Sequence, residues 1–367
     1  MRKASRLRHL PGSMLTNKRA TVIKIPLFEN SGVSKIEMVV KVLKKKIGTW
    51  ARFVFRSPPV LADGLYDLHR YLSHSSAVDF RGPAPEKMQA IIIRYSHNIE
   101  KGLSLPAPRP LFGESHLNNL LRYCRLYVAA HGEDEITDMA HDVLRTYVEF
   151  HEERGAAGPV LDVLREYLAQ MREPTLPKTG GVTPRDVFAG DREQLLAFFH
   201  SRRSVRNYID EPVPVPLLME AARAAASAPA VCNRQFGRVW YSHDREIINR
   251  MLEIQGGARG FQETIPTILM VTTDLSAYVG NERYQGWIDG GLFCMNLVLG
   301  LHAQGVSSCC LNWSKTRHED REMRALVPIP ESESIIMLIA AGYAAPEAVV
   351  PMSTRRPSEY FLSEIQL

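Results

Sequence analysis

The sequence has few of the features that assign a chain to a class at first sight. It contains no apolar run of 18 residues that could span a bilayer, and residues 292–301 come closest. Its five cysteines have neither CxxC spacing nor a paired histidine motif for zinc, so no metal site is predicted. Repeats of fixed period and low-complexity segments are absent. With 45% hydrophobic and 23% charged residues, the 367-residue chain has the composition of an ordinary globular protein of two or three domains.

Charge is distributed unevenly along the chain. Residues 1–60 contain fourteen Lys and Arg but only Glu29 and Glu37 as acids, whereas the net charge of the whole chain is +5. The N-terminus lacks the apolar core and the small-residue cleavage site of a secretory signal, so we expect it to be retained. An odd number of cysteines without metal spacing favours a reducing compartment. Together these observations predict a cytoplasmic location.

Residues 35–56 combine seven cations with apolar side chains at roughly helical spacing. Such an amphipathic segment is compatible with a peripheral contact to an anionic membrane surface. It is equally compatible with a helix that packs its apolar stripe on the rest of the protein. Nucleic acid is the least favoured partner, because no recognition motif accompanies the charge.

Pro, Gly and Thr are concentrated in residues 173–186, which makes this segment the best candidate domain boundary. Upstream, the apolar spacing predicts helices near 86–101, 113–131, 136–148 and 159–172. Downstream, helices alternate with short apolar runs. The predicted helices are 192–200, 215–226, 244–255, 284–304 and 317–325, and the predicted strands are 237–242, 266–273, 306–311 and 334–342.

These patterns divide the chain into four predicted segments. Residues 1–85 form a basic N-terminal arm, 86–172 a helical domain, 173–190 a linker, and 191–367 a region in which helices cover a sheet. The arm is punctuated by several prolines in its second half, so we expect it to be extended.

Three arginines within five residues form the strongest local chemical signal. Arg202, Arg203 and Arg206, with Ser204 between them, could meet a phosphate with charge and with several hydrogen-bond donors. A basic run of this length by itself is more often a solvated face. The choice between a phosphate site and a solvated face therefore depends on the motifs downstream of the cluster.

Five further motifs come after the cluster. The polar loop 228–235 is the first, and it is followed by residues 265–266, 289–291, 305–312 and 355–357. In their order and spacing, these motifs and the arginine cluster resemble those of the nitroreductase-like flavoprotein superfamily. The resemblance covers residues 198–367. Two departures are the Phe236-Gly237 pair, where Pro-Trp is usual, and Ala230, where Ser is common.

The resemblance implies an α+β fold, with a mixed, mainly antiparallel sheet flanked by helices, here preceded by a mostly helical N-terminal region. It also implies a homodimer that binds FMN at its interface. The cofactor-binding residues implied by position are Arg202, Arg203, Ser204, Arg206 and Arg355 at the phosphate and ribityl end, Asn233 and Gln235 in the loop at the pyrimidine edge, and Ser307, Ser308 and Cys309 along the ring. Each has a structural alternative: an arginine can pair with a carboxylate, and a loop amide can bond its own backbone.

Two other polar or glycine-dense segments are open to two interpretations. Residues 255–261 are rich in glycine, and the resemblance suggests that Arg259 and Phe261 touch an acidic or planar substrate, although the segment could be an ordinary connector. His97, Glu100 and Lys101 could transfer protons, but a helical network at i,i+3 or i,i+4 spacing is the simpler interpretation.

The predicted function is that of an FMN-dependent oxidoreductase. Electrons would pass in a ping-pong sequence from NAD(P)H, or from a substrate, through FMN to a second small molecule, and the flavin rather than a protein side chain would carry the chemistry. The alternative is a flavin-binding sensor or interaction protein that does not turn over.

Overall fold

The structure, a computed structural model, describes residue 44 and residues 57–76, 84–172 and 178–366. The chain divides into two units, residues 1–59 and 60–367. Apart from Lys44, the predicted amphipathic segment 35–56 lies outside the described residues. None of the described helices is both long and apolar enough to cross a membrane. Residues 60–367 form one unit, and the finer boundaries at 85, 172 and 190 stay predictions.

The N-terminal part of the second unit is helical, as the apolar spacing predicted for residues 86–172. The expectation of an extended arm is wrong for residues 57–74, which form a helix. Contacts of Arg70 and Tyr71, which are 7% and 6% exposed, stabilise this helix despite the nearby prolines. The helices in the described residues up to 172 are residues 57–74 (α1), Pro85–Leu103 (α2), Glu114–His131 (α3), Glu135–Glu152 (α4) and Pro159–Leu168 (α5). Helix α4 begins at a capping box, in which Asp134 accepts from the Thr137 amide and the Thr137 hydroxyl accepts from the Asp134 amide. Apolar side chains from α2 to α5, including Ile92, Leu117 and Leu144, are fully buried in a shared core.

The C-terminal part is an α+β domain. Its helices are Arg192–Ser201 (α6), Val215–Ala226 (α7), Arg245–Gln255 (α8), Gln285–Ala303 (α9) and Arg317–Leu326 (α10), and its strands are Gly237–Ser242 (β1), Thr267–Asp274 (β2), Ser307–Asn312 (β3) and Glu333–Gly342 (β4). Within the described residues the strands form one antiparallel sheet in the order β1-β2-β4-β3. Outside these strands, an isolated parallel bridge joins Ser204 to Ser308 of β3. The predicted helices and strands are confirmed to within a few residues.

Two apolar layers cover the sheet, because successive side chains of a strand point to opposite faces. Ile268 and Met270 of β2 belong to a core with α8 and α10, whereas Leu269 and Val271 belong to a core with α7 and α9. Every residue of β2 is buried. The sheet is therefore enclosed on both faces, with β1 and β3 at its edges.

Helices α7 and α9 approach each other closely because small residues lie at their contact. A Cβ added at Gly300 would lie 2.9 Å from the Cβ of Ala224 and 3.0 Å from the Cα of Ala221. Ala221 and Ala225 of α7 are fully buried beside this position. Glycine at 300 therefore sets the distance between the two helices.

We predict that Gly300→Ala lowers the melting temperature, because overpacking against the α7 backbone costs about 1–3 kcal/mol and exceeds the gain in helix propensity. The matched control is Gly64→Ala in helix α1, where a Cβ would have no neighbour within 4 Å. That variant should melt at or above the wild-type temperature in differential scanning calorimetry. Equal effects of the two substitutions would contradict the assigned contact.

Candidate functional site

The arginine cluster lies beside the beginning of β3. Helix α6 ends at Ser201, after which the chain becomes extended, and the Val205 amide donates to the Ser308 carbonyl at 3.1 Å. The Ser201 hydroxyl lies 2.8 Å from Nε2 of His302, near the end of α9. The fold thus brings the cluster to the beginning of β3, which contains Ser307, Ser308 and Cys309.

Two of the three arginines have no partner that neutralises their charge in the part of the chain that the structure describes. Within the described residues, neither Arg202 nor Arg206 forms a side-chain hydrogen bond or an ion pair. Burial raises the pKa of the Cys309 thiol, while the nearby Arg206 guanidinium, the Ser204 hydroxyl and Arg202 act in the opposite direction. The net shift is upward, so Cys309 is a neutral thiol at neutral pH, in a site whose uncompensated charge is positive.

Arg203 has a structural role. Its guanidinium donates to the carbonyl oxygens of His200 and Arg202, the latter at 3.0 Å, at the carboxyl end of α6. These carbonyls have no partner within the helix, and a cation at this end also complements the helix dipole. The structural partner of the third arginine is therefore backbone rather than a carboxylate.

The loop that contains Asn233 and Gln235 has an unusual backbone. Cys232, Asn233 and Gln235 all have positive φ, at 49°, 54° and 57°. Such conformations disfavour side chains other than Gly and Asn and cost of order 1 kcal/mol or more each. The Gln235 amide donates to Oδ1 of Asn233 at 2.9 Å, so the two predicted cofactor-binding amides bond each other.

A buried ion pair holds this loop. Arg234, whose side chain is 2% exposed, donates to both carboxylate oxygens of Glu282 at 2.7 and 2.9 Å and to the Val231 carbonyl at 3.0 Å. The Val231 amide in turn donates to Asp289, near the beginning of α9, at 3.1 Å. The strained conformation is therefore fixed by charge-assisted bonds on its covered side.

The two predicted halves of the cofactor site lie at opposite ends of α9. The loop is tied to Asp289, whereas the arginine cluster is tied to His302, thirteen residues later. A helix rises 1.5 Å per residue, so these attachment points are about 20 Å apart. The loop also leads into β1, while the cluster lies beside β3 at the other edge of the sheet. A single chain does not bring Asn233 and Gln235 to the arginine cluster.

A cavity of about 490 Å³ lies beside the loop, and the helical region forms its other wall. Helices α2 and α4 contribute the apolar side chains Ile93, Ile136 and Met139, together with polar ones. The participation of this region could not be read from the sequence, where its apolar spacing indicated only a helical core. The one signal was the polar segment around His97.

That polar segment forms part of the cavity wall. Nδ1 of His97 lies 3.2 Å from Oε2 of Glu100, which confirms an i,i+3 pair, and Oε1 of Glu100 accepts from the Gly181 amide at 3.0 Å. Both oxygens of Glu100 are therefore engaged in contacts within the chain. The arrangement stabilises the segment after residue 178 against α2.

The remaining predicted site residues are separate from these two clusters. Arg355 donates to the Ser353 carbonyl at 2.7 Å, in a C-terminal tail whose residues 351–366 are exposed. Phe261 is only 8% exposed and packs in the core that includes Ile248 and Ile265, so its ring does not face an open cleft, whereas Arg259 is exposed.

Comparison with known proteins matches the C-terminal part of the chain. The model of the Nitroreductase family matches residues 200–258. An NADH dehydrogenase of Thermus thermophilus is 26% identical over 178 residues, which cover 40% of this chain and 84% of that protein. Among solved structures, a nitroreductase with bound FMN from Bacteroides fragilis is 20% identical, covers 47% of this chain and 99% of that one, and has a TM-score of 0.39. An FMN-dependent nitroreductase from Clostridium difficile is 20% identical, with 43% and 92% coverage and a TM-score of 0.38.

The ion pair beneath the loop generates a pH-dependent prediction. Burial alone would raise the pKa of Glu282, but the bonds from Arg234 and the Val279 amide hold it below its usual value. A carboxyl group whose pKa is lower in the folded state than in the unfolded state stabilises the fold at pH values above its unfolded-state pKa, here near 4.5. This stabilisation is lost as the pH falls through the folded-state pKa. Glu282→Gln should therefore cost about 2 kcal/mol at pH 7, because it leaves Arg234 buried and unpaired.

The difference in unfolding free energy between wild type and Glu282→Gln should shrink as the pH is lowered below 4.5, as measured by urea denaturation. The control is Glu220→Gln, since the partner Arg223 is 74% exposed and such pairs contribute little. A pH-independent difference for Glu282→Gln would show that the carboxylate charge is not what stabilises the loop.

Proposed function

We propose that this chain, as a member of the nitroreductase-like flavoprotein superfamily, is an FMN-dependent oxidoreductase that passes electrons from a reduced nicotinamide to a second small molecule. The match to the Nitroreductase family and a relative named as an NADH dehydrogenase support this assignment. The observation that carries it in this chain is the positive, uncompensated site beside β3. The substrate itself is not specified by these residues.

The residues of the cluster fit the phosphate of FMN. Arg202 and Arg206 have no carboxylate partner among the described residues, and the Ser204 hydroxyl lies between them in the sequence. A phosphate would supply the missing negative charge and accept bidentate bonds from guanidinium groups. Arg203 would act indirectly, since its bonds to the end of α6 hold the backbone that positions its two neighbours.

The separation along α9 supports a site shared between two copies of the chain. With attachment points about 20 Å apart, the loop of Asn233 and the arginine cluster would serve one flavin only if they came from different protomers. The outward face of α9 is apolar, with Ile288, Leu292 and Met295 each 43–53% exposed. A stripe of this kind is typical of a surface that is covered in an assembly.

The C-terminal tail supports the same arrangement. Its apolar side chains are largely exposed, and Ile365 reaches 93%. A tail of this composition gains little by lying in solvent and would gain by crossing to a second copy. Arg355 lies within it, so a phosphate contact by Arg355 would depend on the conformation of the tail in the dimer.

FMN held at this site would supply two-electron chemistry between a nicotinamide and a second substrate, in a ping-pong sequence. The protein's part is to bind, orient and shield. Asn233 and Gln235, preorganised by their mutual bond, would present amide groups to the ring, and hydrogen bonds there tune its electronics. The cavity between the loop and helices α2 and α4 gives a small molecule access from the side of the helical region.

We predict that the double variant Arg202→Ala/Arg206→Ala loses FMN, because both free cations of the phosphate site are removed. Asn233→Trp should also lose FMN, since an indole would occupy the volume of the ring. Mixed dimers of the two variants, isolated with two different affinity tags, should regain one FMN per dimer, because one site then receives an intact half from each chain. Flavin is measured by absorbance after acid release.

A matched control is the pair Arg223→Ala and Arg283→Ala, which removes two arginines away from β3 and should leave FMN stoichiometric. Circular dichroism and sedimentation velocity check that the variants fold and assemble. If mixed dimers remained free of flavin although each variant folded, the shared site would be wrong. Retention of FMN by Arg202→Ala/Arg206→Ala would contradict the phosphate assignment.

Electron transfer is tested by anaerobic stopped flow. Addition of NADH or NADPH should bleach the flavin absorbance near 450 nm before any second substrate is present, as a ping-pong sequence requires. Initial rates at several acceptor concentrations should then give parallel double-reciprocal lines. Tightly bound FMN that neither nicotinamide reduces would favour the alternative, a flavin-binding sensor without turnover.

A further inference from the structure

Helix α1 has an apolar face that remains open to solvent. Leu61, Leu65, Leu68 and Leu72 recur every three or four residues, so they lie on one side of the helix, and we refer to them as the leucine face. They are between 43% and 65% exposed. Gly64 lies among them, with no atom within 4 Å of the position of a Cβ. This face takes no part in the proposed flavin site.

The opposite face of α1 is fixed to the α+β domain by polar contacts. The Asp63 carboxylate accepts from the Arg317 guanidinium at 2.9 Å, and the Tyr66 hydroxyl donates to Asp320 at 2.8 Å. Arg70, 7% exposed, donates to the Glu333 carbonyl at 2.8 Å. Because these contacts prevent the helix from rotating, the outward orientation of the leucine face is imposed by the fold.

The sequence that precedes α1 indicates what covers this face. Residues 35–56 contain seven cations among apolar side chains, and residues 1–60 contain fourteen cations and two acids. Near an anionic lipid surface, each Lys or Arg raises the partition coefficient about fivefold at low ionic strength. The leucine face has no charged member, so nothing in it opposes contact with lipid.

A second copy of the chain is a less suitable occupant. Four leucines are far fewer than the roughly 20–30 residues per side of a stable protein interface. Pairing of two α1 helices would also bring together two N-terminal segments with a large excess of positive charge, which repel each other. The same charge favours a surface of anionic lipid.

We propose that the leucine face of α1 docks this protein on membranes rich in anionic lipids, at the boundary between headgroups and acyl chains. Two signals act together: the cations provide long-range attraction, and the leucines provide apolar burial. Docking leaves the flavin site unchanged, because the leucine face and the arginine cluster belong to separate parts of the fold.

The test is sedimentation of the full-length protein with vesicles of phosphatidylcholine, with or without about 30% phosphatidylglycerol. Wild type should bind the anionic vesicles, and about 0.5 M salt should release it. Leu65→Glu/Leu68→Glu should lower the partition coefficient at least tenfold, with FMN content and nicotinamide oxidation unchanged. The matched control is Leu126→Glu/Val163→Glu, which adds the same two charges at sites 49% and 46% exposed on α3 and α5 and should bind as wild type.

Any one of four results would overturn the proposal. Wild type could fail to bind anionic vesicles, or could bind neutral vesicles equally well. Leu65→Glu/Leu68→Glu could bind as wild type does, which would leave the N-terminal cations as the sole determinant. Loss of an oligomer in the Leu65→Glu/Leu68→Glu variant, without vesicle binding by wild type, would assign the leucine face to a second copy instead.

Discussion

The length of α9 is the constraint on which the rest of the candidate site depends. This helix packs across the sheet against α7, and the contact at Gly300 fixes the distance between the two helices. One end of α9 binds the strained loop through Asp289, and the other end lies against the arginine cluster through His302. Because a helix is rigid along its axis, the two clusters cannot meet within one chain.

Electrostatics then distinguishes the two ends. At the cluster, two guanidinium groups lack a partner among the described residues, and the site is positive. At the loop, the charge of Arg234 is neutralised by Glu282, and the pair acts to hold an unfavourable backbone. The first arrangement suits an anionic ligand, whereas the second suits a preorganised set of neutral amides. An arginine is therefore available to a ligand only where neither a carboxylate, as for Arg234, nor a backbone carbonyl, as for Arg203, already accepts its hydrogen bonds.

The helical region contributes to the molecule in two independent ways. Its helices α2 and α4 line the cavity beside Asn233, so this cavity is bounded partly by residues outside the α+β domain. Its first helix, α1, is anchored through Asp63, Tyr66 and Arg70 and keeps its leucines outward. The helical region therefore borders the proposed flavin site through α2 and α4. It also carries the proposed membrane-docking face on α1.

The sequence alone determined the local structure and the candidate chemistry. Apolar periodicity predicted the helices and strands from residue 86 onward, because burial of one face imposes a spacing on each element. The arginine cluster and the strand from Ser307 to Cys309 were also identified together, and the structure joins them through the bridge at Ser204. The pairing of His97 with Glu100 followed from helical spacing.

Only the tertiary structure decided which side chains are free to act. That Arg203 caps α6, that Phe261 is buried, and that Asn233 lies far from Arg202 all depend on contacts that the packing of the chain creates. The spacing of residues in the sequence does not predict such contacts, since they arise from how the helices pack on the sheet. Periodicity reports which face of an element is buried, whereas the identity of what covers it is set by the fold as a whole.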